Sequence, residues 1–258
     1  MVEKPQMQPP EERPFVVPCA QLSLDAPWRW LRLGWQDFMR APRLSLIFGI
    51  VVMLVSAAVS ALAWSLGRFA LLAALLSGFV FVAPLIAVGL YCVSRELGAG
   101  RTPSLRQSFV LARRVAGQAG IFALAQLVIL LVWSRAGMML SAFFPVDAND
   151  TAMLFEYLAY GSAIGTVFAA LTFATAAVSL PMIADRDVDM ITACVSSINA
   201  VLRNKPAMLL WAVLITVLTA VGFATAFVGL VVIMPWLAYA TWYAYRETLQ
   251  PGDWPMLD

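Results

Sequence analysis

Long apolar runs alternate with short polar stretches along this chain. Six of the runs are long enough to cross a bilayer as an α-helix, which takes about 20 residues. They predict helices over 44–66, 69–93, 116 to at least 134, about 157–183, 207–225 and 227–245. Only Gly67 and Arg68 separate the first two runs, and the last two meet near Ala226, so both pairs predict antiparallel hairpins. The third run is expected to stop near Trp133 and Ser134, because an arginine such as Arg135 costs about 2.5–3.5 kcal/mol at mid-membrane. Met138 to Phe144 then reads as an interfacial turn of helix, with Arg135 anchored beside Trp133.

A second pattern precedes each pair of runs. Asp25-Ala26-Pro27 opens a segment with Trp28, Leu31, Trp35 and Phe38 on one face and Arg29, Arg32, Gln36 and Arg40 elsewhere. Thr102-Pro103 opens another, with Leu105 and Phe109 on its apolar side and Arg106 and Arg113 off it. Asp187-Val188-Asp189 opens a third, setting Ile191, Cys194, Val195, Ile198 and Leu202 against Ser196, Ser197, Asn199 and Arg203. An Asp or Thr cap with proline in the first turn starts a helix, and apolar spacings of three and four make it amphipathic.

The pairs also end alike. Pro84 leads to Arg95-Glu96, Pro235 to Arg246-Glu247, and the middle pair closes on Asp185-Arg186-Asp187 with Pro181 displaced. The chain therefore reads as three pseudo-repeats, about 27–96, 103–187 and 189–247. Each is an interfacial amphipathic helix followed by a transmembrane hairpin. The competing reading is that any hairpin starting inside carries proline and arginine at its cytoplasmic ends.

Charge sets the expected orientation. Lys4, Arg13, Arg29, Arg32, Arg40 and Arg43 precede the first run; Arg95, Arg101, Arg106, Arg113 and Arg114 follow the second. Arg186, Arg203 and Lys205 follow the fourth, and Arg246 closes the sixth. Only Arg68 and Arg135 fall on the other side, whose longest loop holds Asp147, Asp150 and Glu156. Fifteen basic residues against two place both termini in the cytoplasm. The expected class is an all-α polytopic membrane protein with six transmembrane helices as three hairpins. Residues 1–24 read as a disordered cytoplasmic tail, 25–248 as a single membrane domain and 249–258 as a short cytoplasmic tail. The proline-rich start lacks the apolar core of a signal peptide.

Composition narrows the chemistry. The chain of 258 residues is 62% hydrophobic and 12% charged, with a net charge of +2. Soluble domains carry roughly twice that charged fraction, and so small a net charge points away from nucleic acid. Histidine is absent, so neither a Ser-His-Asp triad nor a histidine-ligated haem or copper centre can form within the chain. Cys19, Cys92 and Cys194 are far apart, predicting free thiols rather than a disulfide framework or zinc site. No catalytic, cofactor or metal site is expected.

Three stretches resemble a known family. They are Ser179-Leu180-Pro181-Met182 through Asp185-Arg186-Asp187-Val188-Asp189, Met208-Leu209-Leu210-Trp211-Ala212 through Gly222-Phe223-Ala224-Thr225, and Met234-Pro235 through Tyr245-Arg246. The family is the uncharacterised bacterial integral membrane proteins catalogued as domain of unknown function 2189. The resemblance covers about 14–249 and is specific in the C-terminal half. It implies a bacterial inner-membrane location and supplies no activity or ligand.

Within the predicted spans the polar residues are few. Gln126 is the costliest to leave unpaired; with Thr166, Thr172 and Thr175 it either stitches helices together or lines a transport path. Gly161 and Gly165 form a GxxxG that suggests close helix packing. Arg95, Glu96, Arg186, Asp187, Arg246 and Glu247 form either a cytoplasmic docking surface or interfacial anchors with local ion pairs. The expected role is a non-enzymatic accessory, scaffold or lipid-organising subunit, with a small-molecule transporter or channel as the alternative. Its partners would be the bilayer and another membrane protein or a second copy.

Overall fold

In a computed structural model of the chain, the described residues are 14–66, 86–143 and 151–257. Helices α1 (Ala26–Arg40) and α2 (Pro42–Leu66) come first. A helical stretch, α3, covers 86–98. Then follow α4 (Leu105–Arg114), α5 (Ala116–Phe143), α6 (Thr151–Ala176), α7 (Ser179–Asp185), α8 (Met190–Arg203), α9 (Lys205–Ala224) and α10 (Leu230–Thr248). The Gly67-Arg68 turn, most of the second predicted span, and the loop with Asp147 and Asp150 lie outside the described residues.

Among the described residues, four stretches are long and apolar enough to cross a membrane: Pro42–Leu62, Ala116–Leu140, Ala152–Asp185 and Lys205–Ala224. The run predicted at 227–245 folds as helix α10, which is not among these four and stands at the centre of the bundle. Leu230, Ile233, Leu237, Tyr239, Trp242 and Tyr245 are all buried, and α1, α2, α7 and α9 pack around the helix. Glycine permits two close crossings on this helix, at Gly34 of α1 and Gly49 of α2. A Cβ at Gly34 of α1 would lie 2.6 Å from the Ala240 backbone nitrogen.

The helix starts follow the sequence closely. Pro27 stands in the first turn of α1, and the Asp189 side chain caps α8 by accepting from the Thr192 N–H at 2.9 Å. α4 starts slightly later than Thr102-Pro103, because Ser104 and Gln107 form a reciprocal capping box.

Two span boundaries differ from expectation. α5 does not stop at Ser134 but continues unbroken to Phe143, with Arg135 exposed on its side. A long side chain can leave the helix flank and reach toward the interface, so the arginine need not end the helix. The fourth span is broken at Ala177-Val178, between α6 and α7. Pro181 cannot donate to the Ala177 carbonyl four residues back. Ser197 of α8 fills the gap, donating to the Ala174 carbonyl at 2.7 Å and accepting from the Val178 N–H at 3.3 Å.

The inward faces of α1, α4 and α8 also differ from the expected apolar ones. α1 buries Ala26, Trp30, Leu31, Gly34, Asp37 and Phe38, while Trp28 and Trp35 are exposed. α4 buries Ser108 and Leu111 and exposes Leu105 and Phe109. α8 buries Thr192, Ala193, Ser196, Ser197 and Ala200 and exposes Ile191 and Leu202. Small residues let helices approach closely where lipid, rather than water, is the surroundings.

The segment read as a disordered tail is ordered over its described part. Residues 1–13 lie outside the described residues, but Val17 is fully buried and its N–H donates to Ser196 Oγ at 2.9 Å. Ala20 N–H donates to the Thr248 carbonyl and Gln250 N–H to the Pro18 carbonyl, each at 2.9 Å. Asn204 fastens the same segment, accepting from Leu22 N–H at 2.8 Å and donating to the Ala20 carbonyl at 3.0 Å. Downstream, Trp254 is buried and the Leu257 N–H reaches the Asp185 carbonyl at 2.9 Å. The two ends of the described chain therefore meet on one face of the bundle.

Candidate functional site

The polar groups of the spans gather at one place. Gln126 on α5 faces α6, and its Nε2 donates to Thr175 Oγ1 at 3.2 Å. Thr175 in turn donates back to the Leu171 and Thr172 carbonyls, the usual settlement for a threonine inside a helix. Gln126 Oε1 is buried with no hydrogen-bond partner. Beside it opens a cavity of about 650 Å³, walled by α5 and α6 and floored by Tyr91, Ile215 and Thr241. Thr172 lines the cavity with Gln126, whereas Thr166 does not and donates to the Ser162 carbonyl at 2.8 Å. Of the four polar candidates, three are thus brought together and one is set apart.

The GxxxG glycines face α5. A Cβ at Gly161 would meet Leu140 at 3.5 Å and one at Gly165 would meet Trp133 at 3.8 Å, ordinary contact distances. The motif supports helix packing within the chain, but the close crossings lie at Gly34 and Gly49. Gly34 belongs to no spaced motif, whereas Gly49 follows Ser45 at the small-xxx-small spacing. At Gly34 only the small residues around the crossing, such as Ala240, could have flagged it.

The charged pairs at the helix ends bond to other partners, some local and some distant, rather than to each other. Glu96 accepts two hydrogen bonds from Arg101, at 2.7 and 2.9 Å. That pairing holds its carboxyl below the ordinary value. Arg95 instead donates to the Leu257 carbonyl at 3.1 Å. Arg186 contacts Asp185 at 3.1 Å and donates to the Trp254 carbonyl at 2.8 Å. Glu247 accepts from Trp30 Nε1 at 2.8 Å and pairs with Arg29, which also holds Asp25. Arg246 lies 3.9 Å from Asp185 with half of its side chain exposed, and Asp187 is exposed. Most of the six residues therefore tie the bundle together.

Sequence reading missed the buried carboxylates at this face. Asp37 is fully buried and accepts from Tyr243 at 2.9 Å; Asp185 is nearly so and accepts from Tyr245 at 2.7 Å. Burial pushes the Asp37 carboxyl above its ordinary value, against the opposing pull of Tyr243 and Arg40. Asp37 amid the arginines of α1 is the available signal; Tyr243 and Tyr245 are far from their aspartates in the sequence. Cys19, Cys92 and Cys194 are free thiols, and no cluster of metal-ligating side chains occurs among the described residues.

The matched stretch holds α4 to α7, and with them the Gln126 cavity walls. Residues 71–185 match the family described as predicted integral membrane protein (DUF2189). Within the match lie Ser179 to Asp185, Gln126, the three threonines and both GxxxG glycines. The similar stretches at 208–225 and 234–246 lie beyond it. No curated protein and no solved structure matches the chain. The protein is an integral membrane protein in a lipid bilayer, and the family description carries no activity.

Proposed function

We propose that this is a non-enzymatic, six-span inner-membrane protein, with both termini in the cytoplasm, that organises lipid as an accessory or scaffold subunit. The carrying observation is the outward face of α1, α4 and α8. Trp28, Trp35, Met39, Leu105, Phe109, Ile191 and Leu202 are exposed there, interleaved with exposed Arg32, Arg40, Arg106, Arg113 and Arg203. Tryptophan with arginine is the composition of headgroup level. Near an anionic leaflet each basic residue contributes about 1 kcal/mol.

The meeting of residues 14–24 with 249–257 supports an even number of crossings, hence both termini on one side. The successions α1–α2, α4–α5 and α8–α9 support the threefold pseudo-repeat. Native mass spectrometry from mixed nanodiscs tests the lipid role. Anionic lipid should be retained over zwitterionic lipid, and changing the five arginines to glutamine should remove the preference. Equal retention by both forms would refute it. Reporter fusions after Leu249 and near Ala148 should report opposite sides, cytoplasmic for the first.

A transporter or channel is the second reading, favoured by the cavity at Gln126. Proteoliposomes should leak protons and potassium no faster than empty vesicles. A leak abolished by Gln126→Leu would favour this reading instead.

A further inference from the structure

The cavity between α5 and α6 differs from the arginine-rich face in having no charged residue among the described residues of its wall. Its surface is mostly apolar and aromatic, with Trp133, Phe168, Phe173 and Tyr91 around it. Its volume, about 650 Å³, is in the range of small-molecule sites. Excluded charge and aromatic walls select an uncharged, lipophilic occupant, since a charge there would have no counter-ion.

One wall group is incompletely satisfied. Gln126 spends its Nε2 on Thr175, while Oε1 is buried and accepts nothing. Buried amides are normally paired, and an exception calls for an absent partner. Exchanging the amide's O and N would leave an N–H unpaired in place of the oxygen, so the need for a polar partner survives either assignment. Thr172 and Thr241 add hydroxyls to the same wall. Thr241 already donates to the Leu237 carbonyl at 2.7 Å, which leaves its oxygen as an acceptor.

We infer that this cavity is a binding site for an uncharged single-chain lipid alcohol that enters from the bilayer. Its hydroxyl donates to Gln126 Oε1 and its chain lies against Trp133, Phe168 and Phe173. The inference concerns the membrane core and needs no transport. It is independent of headgroup binding at α1, α4 and α8, so either can fail without the other.

The test is photolabelling of the full chain in phosphatidylcholine nanodiscs with a diazirine analogue of hexadecanol. Labelled peptides should map to α5 and α6, saturate, and be competed by unlabelled hexadecanol. Gln126→Leu keeps the size and removes the acceptor; it should cut labelling about tenfold while the protein still melts cooperatively. Ala169→Phe fills the cavity with Gln126 intact and should do the same. Diazirine analogues of hexadecane and of palmitate should label these peptides weakly. Unsaturable labelling, labelling unchanged in both variants, or alkane or palmitate labelling equal to that of the alcohol would overturn the inference.

Discussion

Gly49 of α2 lies against Val231 of α10 so closely that a Cβ at Gly49 would stand 1.9 Å from the Val231 carbonyl oxygen. The obstacle is backbone, so it cannot swing aside. Gly49→Ala should therefore push the two helices apart and destabilise the protein by about 3 kcal/mol, the upper end of ordinary overpacking. Gly161→Ala and Gly165→Ala, which meet only side chains at 3.5 and 3.8 Å, should change stability little. Thermal unfolding of the three variants in one detergent checks the contrast.

Asp37 should make the fold sensitive to alkali. Its folded-state pKa is raised by burial, so the folded protein holds this proton more tightly than the unfolded chain does. The associated stability is present below the ordinary value of 3.8 and is lost as pH rises through the higher folded value. Asp37→Asn keeps an acceptor for Tyr243 and removes the charge. It should raise the melting temperature at pH 8 by about 2–4 °C, equivalent to about 1 kcal/mol, and flatten its dependence on pH. A lower melting temperature at pH 8 would contradict the account.

Ser197 should matter more than a serine on an amphipathic helix usually does. Ser197→Ala leaves the Ala174 carbonyl without its hydroxyl donor and the Val178 N–H without its acceptor at the α6–α7 break. A loss of about 1–3 kcal/mol is expected from the buried groups left unpaired. Hydrogen exchange should rise at 174–182 before it rises elsewhere.

Asn204→Ala should release the N-terminal segment without unfolding the spans. It removes the bonds to Leu22 and Ala20 together. Limited proteolysis should then cut between Phe15 and Leu24 at least tenfold faster, with the helical bundle left intact. An unchanged cleavage rate would show that Val17 and the Pro18–Gln250 bond hold the segment unaided.

Much of this fold is legible in residue order, and its gaps have physical causes. Pro27 and Asp189 announce helix starts because first-turn geometry and capping are local matters, although Asp25 makes no side-chain cap and holds Arg29 instead. Apolar runs announce spans for the same reason: lipid is met residue by residue. The buried faces of α1, α4 and α8 are not legible from hydrophobic spacing. In α4 and α8 large apolar side chains turn outward, so Ile191 and Phe109 mark the outside and Ser196 and Ser108 the inside, whereas α1 buries Trp30, Leu31 and Phe38 but exposes Trp28 and Trp35. The α6–α7 break depends on Ser197 arriving from another helix, which spacing cannot show. At the candidate site, Gln126 and Thr175 were each suspect alone. Their meeting across α5 and α6 is a tertiary fact.

The bonds between Pro18 and Gln250 and between Ala20 and Thr248 join segments from opposite ends of the described chain. The first halves of these pairs are made before any span; the second halves come at and just after the end of α10. The fastening can therefore close only after α10 has been synthesised. Until then α1 lacks α10, its neighbour at the Gly34–Ala240 crossing, and a nascent chain halted before α10 presents an unsheathed helix to whatever surveys unfinished membrane proteins.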